Sequence, residues 1–155
     1  MKFFYYNVIG SMGNNENYKS TAIKMLHKGD FKSAEIYFKK YYRRTKNKPE
    51  LYNSLGNVFR AAGNQQKAIR YYKKAIKLEP RFGLAWSNLS FSLAGEKNYL
   101  EAIRTAEQAL ELLSNSKSFS GLRQQLKKEV SSYKKRRMRM DFGKEKRAVL
   151  SDAQH

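Results

Sequence analysis

The sequence predicts an all-α protein, a solenoid of three stacked helical hairpins closed by a seventh helix. Three observations predict it. Side-chain types recur with a 34-residue period, apolar residues inside each period keep helical spacing, and turn and capping residues fall at matching places. The length of 155 residues suits one domain. Apolar residues at 41% and aromatics at 14% mark a chain that folds despite its charge.

Written in rows of 34 from Asn15, the chain falls into register over 15–48, 49–82 and 83–116 without a gap. The fourth place holds Tyr18, Tyr52 and Trp86, and the eleventh holds Met25, Phe59 and Leu93. The seventh and eighth hold Thr21-Ala22, Leu55-Gly56 and Leu89-Ser90. Places four, seven and eleven share one face of a helix, and a small residue at the eighth lets a second helix approach. The second helix of each row carries Ala34, Ala68 or Ala102 at the twentieth place. Phe38, Tyr72 or Ala106 follows four residues later, then Tyr41, Ala75 or Ala109. Gly29-Asp30 and Gly63-Asn64 supply a helix stop followed by a cap, and Pro80 closes the second row. Each row is an antiparallel helix pair.

The middle row, with Tyr52, Leu55-Gly56, Phe59, Gly63, Ala68, Tyr72, Ala75 and Pro80, resembles the tetratricopeptide repeat family. The resemblance covers about two-thirds of the chain and implies a right-handed α-solenoid of three tetratricopeptide helix-turn-helix repeats plus a C-terminal capping helix. The outer rows depart from the pattern at Thr21, Tyr41 and Lys46, and at Lys97, Ala106 and Ser114. A stacked array must cover its last apolar face. Phe119, Leu122, Leu126, Val130 and Tyr133 recur at spacings of three or four, so 117–139 reads as a basic amphipathic capping helix with Arg123, Lys127 and Lys128 on its polar face, the alternative being a membrane-surface amphipathic helix. Residues 140–155 read as a polar, flexible tail.

At the other end, 1–14 is an N-terminal apolar segment whose Phe3–Ile9 stretch is too short for a signal peptide or a membrane span. It reads as a cover for the first folded unit. The expectation is a cytoplasmic protein with no integral membrane segment. The absence of cysteine excludes disulfides, thiolate metal sites and thiol catalysis. Two histidines and few carboxylates leave little for metal ligation or acid–base chemistry, so neither an enzyme nor a cofactor is expected.

The net charge of +19 is unevenly distributed. Row one has ten basic and three acidic residues, row two seven and two, row three two and four, and the remainder from 117 twelve and four. Many of the cations lie late in the second helices of rows one and two: Lys39, Lys40, Arg43, Arg44, Arg70, Lys73, Lys74 and Lys77. In the family the second helices form the convex face, so the resemblance implies a basic convex stripe, extended by Lys134, Lys135, Arg136, Arg137 and Arg139. Such a stripe fits nucleic acid, an anionic surface or an acidic protein.

The resemblance also implies a concave groove lined by the first helices. Places not used for packing give Glu16, Lys19, Ile23 and Leu26 with His27, then Glu50, Asn53, Asn57 and Arg60, then Leu84, Ser87, Phe91 and Ala94 with Asn88. Asn53 and Asn57 share a helix face and can pair with the N–H and C=O of an extended peptide. Lys19 and Arg60 suit a carboxylate, while Ile23, Leu84 and Phe91 offer apolar contacts. The function implied is a non-enzymatic adaptor or scaffold for a partner peptide or protein. Family members that grip heat-shock protein C-terminal tails use a clamp of Lys and Asn in one repeat, Asn in the next, and Lys and Arg in the third. Only Lys19 matches it here, and Ile23, Ser54, Leu84 and Asn88 depart, which disfavours such tails.

Overall fold

The computed structural model describes residues 17–152, with side chains through residue 147. Helix α1 occupies residues 17–27. It is followed by α2 (Phe31–Thr45), α3 (Lys48–Ala61), α4 (Gln65–Leu78), α5 (Gly83–Gly95) and α6 (Tyr99–Leu112). A 3-10 turn, Lys117–Phe119, leads into α7 (Ser120–Asp152). The segment 1–14 expected to cover the first unit lies outside the described residues, as does Glu16.

The three hairpin turns repeat one construction. Gly29, Gly63 and Lys97 stand 34 residues apart, and all take the left-handed backbone, with φ of 76°, 76° and 60°. In each turn the next amide reaches back to the preceding helix: Asp30 N to Met25 O at 2.9 Å, Asn64 N to Phe59 O at 2.8 Å and Asn98 N to Leu93 O at 2.9 Å. The same residue then caps the following helix. Asp30, Asn64 and Asn98 accept from the amides of Ser33, Lys67 and Glu101 at 3.1, 3.0 and 3.4 Å. The Ser33 hydroxyl, together with its amide, holds the Asp30 carboxyl below its ordinary value. Lys97 keeps this backbone without glycine, because the hydrogen bonds on either side of it are the same. Between repeats one and two, where proline was missing, Lys46 ends α2 at φ 57° and Asn47 caps α3.

Small residues at the eighth place set how closely the paired helices pack. Ala22 and Ser90 are wholly buried, and Gly56 is buried with them. A Cβ at Gly56 would lie 2.6 and 2.8 Å from ring atoms of Tyr72, so the ring occupies the space a side chain would need. In the third repeat Ala106 replaces that ring, and Ser90 fits with its Oγ donating to Ala102 O at 2.8 Å. The departure at Ala106 is thus matched by a larger residue opposite it. Tyr41, the bulky departure in the first repeat, is half-buried and meets Tyr42 edge-on at 4.6 Å.

The apolar interior divides into two connected clusters. One joins Ala22, Ala34, Phe38 and Tyr42 to Leu55 and Val58 of α3. The other runs from Ala68 and Tyr72 of α4 through Leu89, Leu93, Ala102 and Ala106 to α7. Leu126, Val130 and Tyr133 of α7 are buried in it, and Phe119 and Leu122 pack at its margin. Tyr133 stacks on Tyr99 at 6.1 Å. Arg123, read from sequence as a polar-face residue, turns back instead. Its guanidinium donates to Leu113 O at 2.8 Å and to Ser116 O, adding a second hydrogen bond to each carbonyl in the turn between α6 and α7.

The stretch 140–155, read as a flexible tail, is helical through Asp152. No proline interrupts it, and Arg137 and Asp141 form an i,i+4 pair at 3.7 Å. Gly143 alone weakens the helix there.

Candidate protein-binding face

The first helices of the repeats place the groove residues. Contact between α3 and α5 joins the concave sides of the second and third repeats. Asn88 donates its amide to Asn53 Oδ1 at 2.9 Å across that junction. One turn further along α3, Asn57 Oδ1 accepts from the Tyr72 hydroxyl at 2.7 Å. Tyr72 is buried, and burial pushes its hydroxyl up to about 12, so it stays a donor throughout the neutral range. The floor of this face is therefore three half-buried asparagines held in place by one another and by a core tyrosine.

This arrangement amends the sequence reading. The oxygens of Asn53 and Asn57 already accept internal hydrogen bonds, so the groups left to meet a peptide are their amide donors. Ser87 is not a groove residue at all. It is 1% exposed, and its hydroxyl has no hydrogen-bond partner. Phe91 is half-buried and packs against the α4–α7 core, so it offers an edge rather than an open pocket. Leu84 is half-buried too, while Ile23 (40% exposed) and Arg60 remain accessible. Lys19 is drawn over the Tyr41 ring at 5.6 Å, which fixes its position at the edge of the first repeat. His27 is exposed.

The outer cations have partners that sequence reasoning missed. Tyr18 and Tyr37 lie 6.2 Å apart, and Lys40 sits over both at 5.8 and 5.4 Å. In the second repeat Tyr52 and Tyr71 lie 6.1 Å apart, and Lys74 sits over both at 5.8 and 5.3 Å. Each of these residues is 34 from its counterpart, so the signal was present in the sequence as matched tyrosines and lysines. Trp86, next in that series, differs: its indole donates to Pro80 O at 2.8 Å. Arg44 also stacks on Tyr18, and together with Lys40 and Arg43 it lines a shallow pocket of about 270 Å³. Lys39 pairs with Glu35 at 2.6 Å, and that bond raises its pKa. Arg43, Arg70, Lys73 and Lys77 are exposed.

The stripe does not run on unbroken into α7. At the third-repeat places equivalent to Lys73, Lys74 and Lys77 stand Glu107, Gln108 and Glu111. Lys134 of α7 pairs with Glu107 at 3.3 Å. Lys135, Arg136 and Arg139 are exposed beyond it, and Arg137 is held by Asp141. Among the described residues, no group of three or more His, Asp or Glu side chains converges to hold a metal ion. No described helix is long and apolar enough to cross a membrane.

The tetratricopeptide repeat model matches residues 49–82, the middle hairpin. Small glutamine-rich tetratricopeptide repeat-containing protein 2 of Mycosarcoma maydis is 27% identical over 97 residues, 63% of this chain. The chain spans only 28% of that relative's length. Solved structures share the fold, among them two that hold a bound partner. The TPR2B domain of yeast Sti1 in complex with an Hsp70 peptide superposes with a TM-score of 0.67 at 17% identity, covering 78% of this chain and 96% of that one. The Yersinia enterocolitica type III secretion chaperone SycD, in complex with a peptide of the translocator YopD, gives 0.69 at 19% identity, covering 79% and 93%.

Proposed function

Because this chain is a tetratricopeptide repeat protein, we propose that it is a non-enzymatic adaptor that grips an extended segment of another protein on its concave face. One observation carries the reading. The Asn53–Asn88 bond and the Tyr72–Asn57 bond fix a row of amide donors along α3 and α5 before any partner arrives. Donors already held in place lose little freedom on binding and can meet the carbonyls of an extended backbone. Arg60 and Lys19 flank this row as cations, and Ile23, Leu84 and the edge of Phe91 flank it as apolar contacts. The face thus suits a peptide with a carboxylate near an apolar side chain. Solved structures of similar fold hold peptides, the yeast domain an Hsp70 peptide and SycD a YopD peptide. The missing clamp positions at Ile23, Ser54, Leu84 and Asn88 favour a segment other than a heat-shock tail.

Peptides selected from a displayed library against the full chain, then measured by fluorescence anisotropy, test the reading. Asn57→Ala with Arg60→Ala should weaken the selected peptides about tenfold or more, while Lys73→Glu with Lys74→Glu leaves them unchanged. Equal affinity for the groove double variant and the parent would overturn it.

A second reading rests on Lys40 and Lys74, cations braced over tyrosine pairs at equivalent places on an outer face poor in acids. That face suits a polyanion such as nucleic acid. Binding of this kind should fall steeply with salt and disappear on reversing Lys73, Lys74 and Lys77 to Glu. A flat salt response would dismiss it.

A further inference from the structure

The apolar stripe of α7 changes sides halfway along the helix. Leu126, Val130 and Tyr133 face the repeats and are 0, 8 and 4% exposed. The next large apolar side chains are Met138, Met140 and Phe142, which are 61%, 40% and 69% exposed. At about 100° per residue, the five steps from Tyr133 to Met138 leave Met138 roughly 140° away from the buried face. Phe142, four residues on, shares that outward side. The side that still faces the repeats carries Arg137 and Met140, which border a crevice against Asn98, Tyr99 and Leu100 at the start of α6. One helix therefore has two halves, a cap as far as Tyr133 and a second half in which Phe142 and most of Met138 are open to solvent, Met138 also bordering a crevice with Ile103 of α6 and Glu145 lying on the same side of the helix.

Charge indicates what covers that stripe. Lys135 and Arg139 stand beside Met138 and Phe142 around one shallow pocket. Among the described residues the ion pairs of this half are Lys134–Glu107 and Arg137–Asp141, so Lys135, Arg136 and Arg139 meet no carboxylate. Lys135 and Arg139, four apart with like charge, repel each other while the helix is free in water. A plane of anionic headgroups relieves both strains: the ring and thioether enter the apolar boundary, and the long cationic side chains spread onto phosphates. A ridge only two side chains wide suits a plane better than a deep groove. We infer that the distal half of α7 is a peripheral membrane-binding helix, with Met138 and Phe142 as apolar anchors and Lys135 and Arg139 selecting anionic lipid.

The test uses the full chain and vesicles of either phosphatidylcholine alone or equal parts phosphatidylcholine and phosphatidylserine. The chain should sediment with the anionic vesicles and not with the neutral ones. Met138→Ser with Phe142→Ser should lower the partition coefficient about tenfold or more, and Lys135→Glu with Arg139→Glu should do the same. Thermal midpoints should hold in both variants, since these side chains are exposed. The chain has no cysteine, so Phe142→Cys carries a single polarity-sensitive dye. Its emission should shift blue on anionic vesicles, while the same dye at Ile36→Cys on α2 should not respond. Retention by charge alone, with Met138→Ser/Phe142→Ser binding as well as the parent and the dye at 142 staying aqueous, overturns the inference. A chain that ignores both vesicles yet binds an acidic helical peptide through Phe142 also overturns it, and assigns the stripe to a protein.

Discussion

Gly56→Ala tests the packing where the sequence reading is most specific. The added methyl would lie 2.6 and 2.8 Å from Tyr72 ring carbons, whereas carbon atoms pack at about 3.5–4.0 Å. The ring has no easy retreat. It is 0% exposed, and its hydroxyl is tethered to Asn57 at 2.7 Å. Opening roughly an ångström between α3 and α4 belongs with core overpacking, which costs about 1–3 kcal/mol. Alanine returns about 1 kcal/mol as a better helix former than glycine. With the contact at the severe end of its range, the net loss is about 1–2 kcal/mol, a fall in midpoint of roughly 2–8 °C for a chain of this length. Helical ellipticity followed on heating reads it directly. Gly56→Leu adds three more carbons to the same space and should unfold the middle hairpin. A Gly56→Ala variant more stable than the parent, as glycine replacement at an open helix position would give, would refute the α3–α4 contact and the register with it.

Three further outcomes are expected. Lys97→Gly relieves a left-handed residue and should raise stability by about 0.5–1 kcal/mol, while Gly63→Ala at the equivalent turn should lower it by about 1 kcal/mol; both are read by denaturant titration. Alkaline pH should destabilise the fold through Tyr72 and Tyr133. Burial, joined at Tyr133 by the charge of Glu129, pushes each up to about 12, while an unfolded phenol titrates near 10. The unfolded chain holds fewer protons between those values, so stability is full below pH 10 and falls as pH rises toward 12; Tyr133→Phe should flatten that limb in chemical denaturation. Ending the chain after Tyr133 should leave the thermal midpoint within a few degrees, because the side chains from Lys134 to Arg147 lie outside the core. Ending it before Lys117 removes three buried anchors worth about 1.5–3 kcal/mol each and should give aggregates on size-exclusion chromatography.

The hairpins were legible because their determinants are local. A turn residue, a cap and a small residue opposite a ring all sit within one 34-residue row, and the row is printed three times. Even Lys97, which breaks the glycine pattern, occupies the same backbone state, because the flanking Asn98 cap and the Leu93 carbonyl impose it. The cap was legible up to Tyr133 from its three-and-four spacing. Its continuation was not, since the apolar stripe shifts around the helix after Tyr133 and reads from sequence as loss of period. The groove was legible as a set of positions but not in its bonding. That Asn53 is linked to Asn88, and Asn57 to Tyr72, depends on how two repeats stack and how far a core hydroxyl reaches. Ser87 and Phe91 turned inward for a similar reason: α5 packs against α3 and α4 of the preceding repeat as well as against α6, and row position alone does not carry that.

The equivalence of the three rows can be measured most directly with single cysteines in this cysteine-free chain. Ala34, Ala68 and Ala102 are each 0% exposed, and Ile36, Arg70 and Arg104, two residues further along the same helices, are exposed. Replaced one at a time by cysteine and treated with a thiol-alkylating reagent under native conditions, the first three should all react slowly and the second three all rapidly. A fast site among positions 34, 68 and 102, or a protected one among 36, 70 and 104, would contradict the 34-residue register on which the binding face is assigned.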